Sequence, residues 1–263
     1  MLTSEDPFIG PGSSFYQLLL AQRGQTSISI PALSGISASL PHGTTVLALR
    51  FSGGVVMAGD RRATEGYSIA ERDIRKVHAM DRTSAMAFAG TAGPCMEFAR
   101  LFRIELEHYE KLEGVNLTLE GKANKLAQMI RGNFPLALQG LIVVPIFSGY
   151  DAVRQCGRIF KYDIAGGQYE EQEYCAVGSG GKDAKGTLKK RFKKNLGQEE
   201  AIFIAVESLC DAADSDVATG GADMLRDIYP TVTVLTAEGV SDIAETNIKG
   251  VAMRILEKQK EIG

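Results

Sequence analysis

With 263 residues, 44% of them hydrophobic, the chain is long enough to bury a sizeable core as one large domain or two small ones. Its 29 basic and 32 acidic residues are interspersed and leave a formal charge of -3, so there is no basic tract of the kind nucleic acids select. No apolar run approaches the roughly 20 residues a membrane span needs, Leu18 to Ala21 is too short for a secretory signal core, and Cys95, Cys156, Cys175 and Cys210 lie too far apart for a metal-binding or redox pair. The sequence therefore predicts a cytoplasmic protein with reduced, packing cysteines and neither nucleic acid nor membrane as partner.

Residues 1 to 43 contain Pro7, Pro11, Pro31 and Pro41, much Ser and Gly, and one short apolar patch from Phe15 to Ala21. That composition predicts an extension rather than a packed module. From Thr45 the pattern changes to Thr-Val-Leu-Ala-Leu-Arg-Phe, Ser-Gly-Gly and Val-Val-Met-Ala, which reads as two buried strands joined by a tight glycine turn. Short strands follow at Ser68 to Ile69, Arg75 to His78 and Ser84 to Ala89. Helical spacing then runs from about Gly93 to Leu112 and from about Leu119 to Gly132, stopping ahead of Pro135.

Strand character returns at Leu141 to Gly149, Arg158 to Asp163 and Glu173 to Val177, with a turn at Gly166-Gly167. Lys182 to Lys194 and Gln198 to Ala213 read as a second helical pair, Val232 to Leu235 as a strand, and Asn247 to Lys260 as a last helix. A doubly wound parallel sheet would need helices between the strands of residues 45 to 90, and none is visible there. Two antiparallel sheets packed face to face with helices outside both would bury this pattern, an α+β fold.

The first hairpin gathers chemistry. If the chain turns at about Ser52 to Gly54, Thr44 lies close to Asp60 or its neighbour, and the return of the chain at Arg75-Lys76-Val77 brings Lys76 to the same end. Each residue alone has an ordinary reading: a strand-start Thr, a turn Asp, a solvated Lys. Together they suit a nucleophile. The α-amine of an N-terminal Thr, with an unperturbed pKa of about 8, can act as base for its own hydroxyl. A lysine cation would lower the pKa of that amine, and an aspartate would hold the lysine. The scheme needs Thr44 to become a chain terminus, and Gly43 has no side chain to obstruct attack of the Thr44 hydroxyl on the preceding carbonyl. Residues 1–43 would then be a propeptide removed by autocleavage, leaving 44–263 as the mature domain that begins with the nucleophile.

The stretches His42-Gly43-Thr44-Thr45-Val46, Met57-Ala58-Gly59-Asp60-Arg61-Arg62-Ala63-Thr64, Arg75-Lys76-Val77, Ala89-Gly90-Thr91-Ala92-Gly93, Ala176-Val177-Gly178-Ser179-Gly180 and Asp216-Val217-Ala218-Thr219-Gly220-Gly221 occur in this order. They resemble the motifs of proteasome beta subunits, most closely the actinobacterial type, over essentially all of Thr44 to Gly263. The resemblance implies a four-layer αββα sandwich, the N-terminal nucleophile hydrolase fold. It implies homo-heptameric beta rings between alpha-subunit rings, an ATP-dependent unfoldase acting through the alpha ring, and unfolded polypeptide as substrate.

It also implies roles for single residues. Thr44 would be nucleophile and base, tuned by Asp60 and Lys76; Ser179, Asp216 and Thr219 would support the amine, and the Gly90 N–H would face the oxyanion. Thr64 and Ala92 match positions that hold the substrate backbone as an added strand. Ala63, Ile74, His78, Phe88, Ala92 and Met96 match the first side-chain pocket, an apolar set that implies cleavage after apolar residues, with bulky Phe88 making the pocket shallow. Two positions depart from the pattern: Gly181 stands where a second serine is expected, and Thr219 where serine is common. The alternatives are an inert ring subunit, an N-terminal nucleophile amidase for a small molecule, and the shorter two-component bacterial peptidase. The joint presence of Gly43, Thr44, Asp60 and Lys76, the Arg61-Arg62 pair and the roughly 220 residues after the cut favour the active proteasome subunit.

Overall fold

A computed structural model describes residues 43–66 and 68–262, so all of the expected extension except Gly43 lies outside the described residues. Strands β1 (Thr45–Phe51) and β2 (Gly54–Gly59) form the first hairpin, and nearly all of their residues are buried. Burial on both faces explains why neither strand shows polar-apolar alternation in sequence. Strands β3 (Ala63–Glu65) and β4 (Ser68–Glu71) make a two-stranded ribbon with an irregularity between Ala63 and Thr64. β5 (Val77–Ala79) and β6 (Ser84–Gly90) lead into helices α1 (Ala92–Glu113) and α2 (Leu119–Ala137). Then come β7 (Val143–Asp151), β8 (Cys156–Tyr162), β9 (Gln168–Glu171) and β10 (Tyr174–Gly178), helices α3 (Gly181–Arg191) and α4 (Gln198–Ser215), β11 (Thr231–Thr236), β12 (Gly239–Asp242) and α5 (Glu245–Ile262).

The larger sheets have orders β10-β1-β2-β11-β12 and β5-β6-β7-β8-β9, and every pairing is antiparallel. The core divides into three seams. Leu47, Leu49, Val56 and Ala58 face α3, α4 and α5 in one; the alternate residues Val46, Ala48, Val55 and Met57 meet Ala85, Ala87, Ile146 and Ile159 of the other sheet in the next. Met86, Phe88, Phe147 and Phe160 point the opposite way, against α1 and α2. Period-two alternation along each strand thus supplies both neighbours of each sheet and gives the layer order helix, sheet, sheet, helix.

Some elements differ from what the sequence predicts. Helix α2 does not stop before Pro135 but runs through it to Ala137. The proline falls in the final turn, where it forgoes one ladder bond, while Leu138 N–H donates to Phe134 O at 3.1 Å and closes the helix. The turn at Gly166-Gly167 joins β8 to the unexpected β9 rather than directly to the strand at Tyr174. β3 and β12 are also additional to the expected strands; both are short, and β12 carries little apolar pattern. No helix among the described residues is long and apolar enough to cross a membrane.

Phe147 lies between the rings of Phe102 (centroids 5.8 Å apart, edge-on) and Phe160 (6.2 Å, stacked) and is fully buried. Phe147→Ala is expected to lower unfolding free energy by about 3–5 kcal/mol, read as a fall in denaturation midpoint.

Candidate active site

The register of the first hairpin builds the site. Phe51 pairs with Gly54 and Val46 with Gly59, and one step on the Asp60 N–H donates to the Thr45 carbonyl at 3.1 Å. Thr45 therefore stands across from Asp60, and Thr44 is next along the strand. The Asp60 side chain is completely buried. Its Oδ1 accepts from Thr45 N–H at 2.8 Å and from Lys76 Nζ at 2.6 Å, and its Oδ2 from Arg62 N–H at 3.0 Å and Gly220 N–H at 2.9 Å. Lys76 also donates to the Arg62 carbonyl at 2.5 Å. Burial pulls the Lys76 ammonium below its ordinary 10.5, and the Asp60 carboxylate opposes that fall by charge and by hydrogen bond.

A second cluster lies at the start of α3 and the end of α4. Asp216 Oδ2 accepts the hydroxyls of Ser179 at 2.5 Å and Thr219 at 2.6 Å, and Asp216 Oδ1 accepts Ala218 N–H at 3.2 Å. Burial alone would raise the Asp216 carboxyl, but these bonds and the Arg62 guanidinium outweigh it and hold the carboxyl below its ordinary value. Ser179 N–H donates to the Thr44 carbonyl at 3.0 Å, which places this cluster against Thr44.

Thr44 opens on a cleft whose lining includes Ala63, Ile74, His78, Phe88, Ala92 and Met96, the residues singled out for the first pocket, with Lys76 and Gly90. Phe88 is braced edge-on by Phe98. Two further lining residues were not anticipated as such. Cys95, read from sequence as packing, sits in the cleft wall with its thiol pushed up to about 12 by burial, so it stays protonated. Arg75 adds a cation, tied to Asp242 Oδ2 at 2.5 Å. Arg61, next to Asp60, is likewise paired with Asp73 and Glu245.

Thr64 is not in the cleft lining. Its Oγ1 instead accepts the Gly43 N–H at 3.0 Å, holding the backbone just ahead of Thr44. Gly43 is confined as well: a Cβ there would fall 1.7 Å from Ala218 Cβ, so no side chain fits without moving the backbone. At Gly181 a Cβ would make only ordinary contacts, with Ala176 atoms at 3.4 and 3.5 Å, so space does not require glycine at this departure from the motif. The residue that the motifs do not single out is Thr45, whose backbone reaches Asp60 and whose hydroxyl reaches Thr219 and Gly180. Counting the hairpin pairs back from the Ser52-Gly53 loop would have placed it opposite Asp60.

Two antiparallel sheets face to face between helical layers, with a threonine at the mouth of an apolar cleft beside a buried carboxylate and lysine, define an N-terminal nucleophile hydrolase fold. The sequence profile described as proteasome subunit matches residues 40–225, and the chain belongs to the proteasome subunit family. It is 50% identical to a "Proteasome subunit beta" of Acidimicrobium ferrooxidans over 258 residues, 98% of this chain and 94% of that protein. Proteins of the same name from Frankia casuarinae (50% over 251 residues, covering 95% and 92%) and Streptomyces griseus (48% over 258 residues, covering 97% and 92%) are similarly close.

His78 borders the cleft against Phe88, and burial, aided by Arg75, lowers its imidazole below the ordinary 6.5. In the unfolded chain the ring takes a proton as pH falls through 6.5; in the folded chain it resists, so stability present above that pH is lost below it. Between about pH 7 and about pH 5.5 the wild-type Tm is expected to fall further than that of His78→Gln, the difference isolating this ring from the carboxylates common to both.

Proposed function

We propose that the chain is the precursor of a catalytic proteasome beta subunit, a threonine endopeptidase that hydrolyses unfolded polypeptide inside a closed chamber. The observation that carries this reading is the Asp60–Lys76 pair, buried at the start of the cleft that Thr44 and Gly43 share. In the precursor the Thr44 Oγ attacks the Gly43 carbonyl carbon. The C–N bond breaks, its nitrogen takes a proton, and the resulting ester is hydrolysed by water to leave a Gly43 carboxylate and a free Thr44 amine. Thr64 and Ala218 support this step by fixing Gly43.

In the mature subunit the Thr44 amine takes the hydroxyl proton as Oγ attacks a substrate carbonyl. The amine must be neutral to do so, and the adjacent Lys76 cation favours that state. The oxyanion faces the Gly90 N–H, a contact of a kind that contributes about 3–4 kcal/mol to lowering a barrier. The proton then passes to the leaving amine, and water releases the acyl group by the reverse sequence. Ser179, Asp216 and Thr219 hold the Thr44 amine, while Ala92 and Thr64 guide substrate backbone. No metal or organic cofactor takes part, because nucleophile, base and oxyanion donor are all protein groups.

The partners we propose are further copies in homo-heptameric rings, alpha subunits stacked on them and an ATP-dependent unfoldase above the alpha ring, working in the cytoplasm. An inert ring subunit would be expected to have lost one of Gly43, Thr44, Asp60 or Lys76. A small-molecule amidase is disfavoured by the Gly59-Asp60-Arg61-Arg62 and Arg75-Lys76-Val77 stretches and by an apolar cleft beside a segment that already holds a peptide N–H.

Intact mass of the chain assembled with an alpha partner should show loss of residues 1–43, and Thr44→Ala should retain them and lose peptidase activity by a factor of about 10³ or more. An active particle with chains still beginning at Met1 would refute the scheme. The apolar lining, whose charged members Arg75 and Lys76 are both cations, leads to cleavage after apolar residues. Peptides ending in Leu or Tyr are expected to turn over at least about tenfold faster than those ending in Arg; the opposite order would contradict the cleft assignment.

A further inference from the structure

Thr45 stands between the two polar clusters. Its N–H donates to Asp60 Oδ1 at 2.8 Å, and its fully buried hydroxyl accepts from Gly180 N–H at 2.9 Å and lies 2.6 Å from Thr219 Oγ1. The ends of this chain of bonds fix its direction. A backbone N–H can only donate and an ionised carboxylate can only accept. Thr219 directs its single proton to Asp216 Oδ2 at 2.6 Å, so it must accept from Thr45. The order is therefore Gly180 N–H to Thr45, Thr45 O–H to Thr219, and Thr219 O–H to Asp216, each donor polarised by the one before it. Asp216 Oδ2 also takes the Ser179 hydroxyl, at 2.5 Å.

The packing is specific to this arrangement. A Cβ at Gly180 would come within 2.6 Å of Thr219 Oγ1 and 2.8 Å of Thr45 Oγ1, so only a glycine lets the two hydroxyls close over that backbone. Both threonines are fully buried and branched at Cβ, which restricts rotation about χ1. The network closes without any hydroxyl from position 181.

We propose that Thr45 is a positioning residue for the peptidase reaction: its hydroxyl fixes Thr219 as a donor to Asp216 and so keeps the Ser179 hydroxyl turned to the same carboxylate, leaving the Ser179 lone pairs to accept an N–H of the freed Thr44 amine. The inference rests on the reading of Thr44 as nucleophile and base. It assigns to the second residue of the mature chain an orienting role exerted through Thr219, Asp216 and Ser179, without contact with substrate.

The test uses the full chain assembled with its partner subunits and compares Thr45→Val, Thr45→Cys and Thr45→Ser with wild type and with Thr44→Ala. Thr45→Val and Thr45→Cys are expected to lower kcat on an apolar-ending peptide roughly tenfold with KM changed by less than about twofold, and to slow the loss of residues 1–43 seen by intact mass. Thr45→Ser, which keeps the oxygen, is expected to restore kcat to within about twofold of wild type. Thr45→Val and Thr219→Val should be non-additive, because they break one shared bond. Should Thr45→Val not assemble, the Cys and Ser variants, which differ in a single atom, make the same distinction. Equal kcat for Cys, Ser and wild type, or strictly additive effects with Thr219→Val, would overturn the proposal. An inactive wild-type particle, or an active Thr44→Ala, would instead overturn the reading on which it rests.

Discussion

The carboxylate of Asp60 is the constraint on which the rest of this structure turns. An ionised carboxylate presents about four acceptor sites, and here four donors from four stretches of chain occupy them: Thr45, Arg62, Lys76 and Gly220. A buried charge without such partners would be destabilised by several kcal/mol. The folded state therefore satisfies Asp60 only when the first strand, the segment after the second strand, the approach to β5 and the loop after α4 have all arrived. The placement of Thr44 is thus tied to the hydrogen bonds that satisfy the buried Asp60, and the two cannot be altered separately.

Layering explains why those arrivals coincide. Successive residues of β1 and β2 feed alternate seams of the core, Leu47 and Leu49 toward the helices and Val46 and Ala48 toward the other sheet. A slip of one residue would exchange every one of these and also move Thr45 off Asp60. The hydrophobic register and the polar register are the same register. That is a strong reason for the hairpin loop to be short, with Phe51 paired directly to Gly54.

Much of this is readable in the sequence, and for identifiable reasons. The hairpin can be folded from its residues alone because its loop is a glycine turn, and the long helices because their apolar spacing is regular. The motifs that resemble proteasome subunits carry Asp60, Lys76, Ser179, Asp216 and Thr219 by position, and the structure gathers them into two connected clusters beside Thr44. The bonding of the Thr45 hydroxyl is not readable, since its partners lie 135 and 174 residues away and no local pattern marks them. Strand β12 escapes sequence reasoning because its four residues have little apolar character and depend on β11 for their pairing. Pro135 misleads because the rule against helical proline weakens in a final turn, whereas Cys95 packs in the core as expected and forms part of the cleft wall as well.

The two arginines that flank the Asp60–Lys76 pair give the fold one more property. Arg61 is clamped by Asp73 and Glu245, and Arg75 by Asp242, so the corner between β12 and α5 is anchored electrostatically to the segments that carry the site. These clamps are partly open to water and are weakened by mobile ions, whereas the Asp60–Lys76 contact is shielded from them. Ionic strength thus acts unequally on neighbouring parts of one wall: added salt relaxes the outer frame around Arg75 while the inner carboxylate stays clasped.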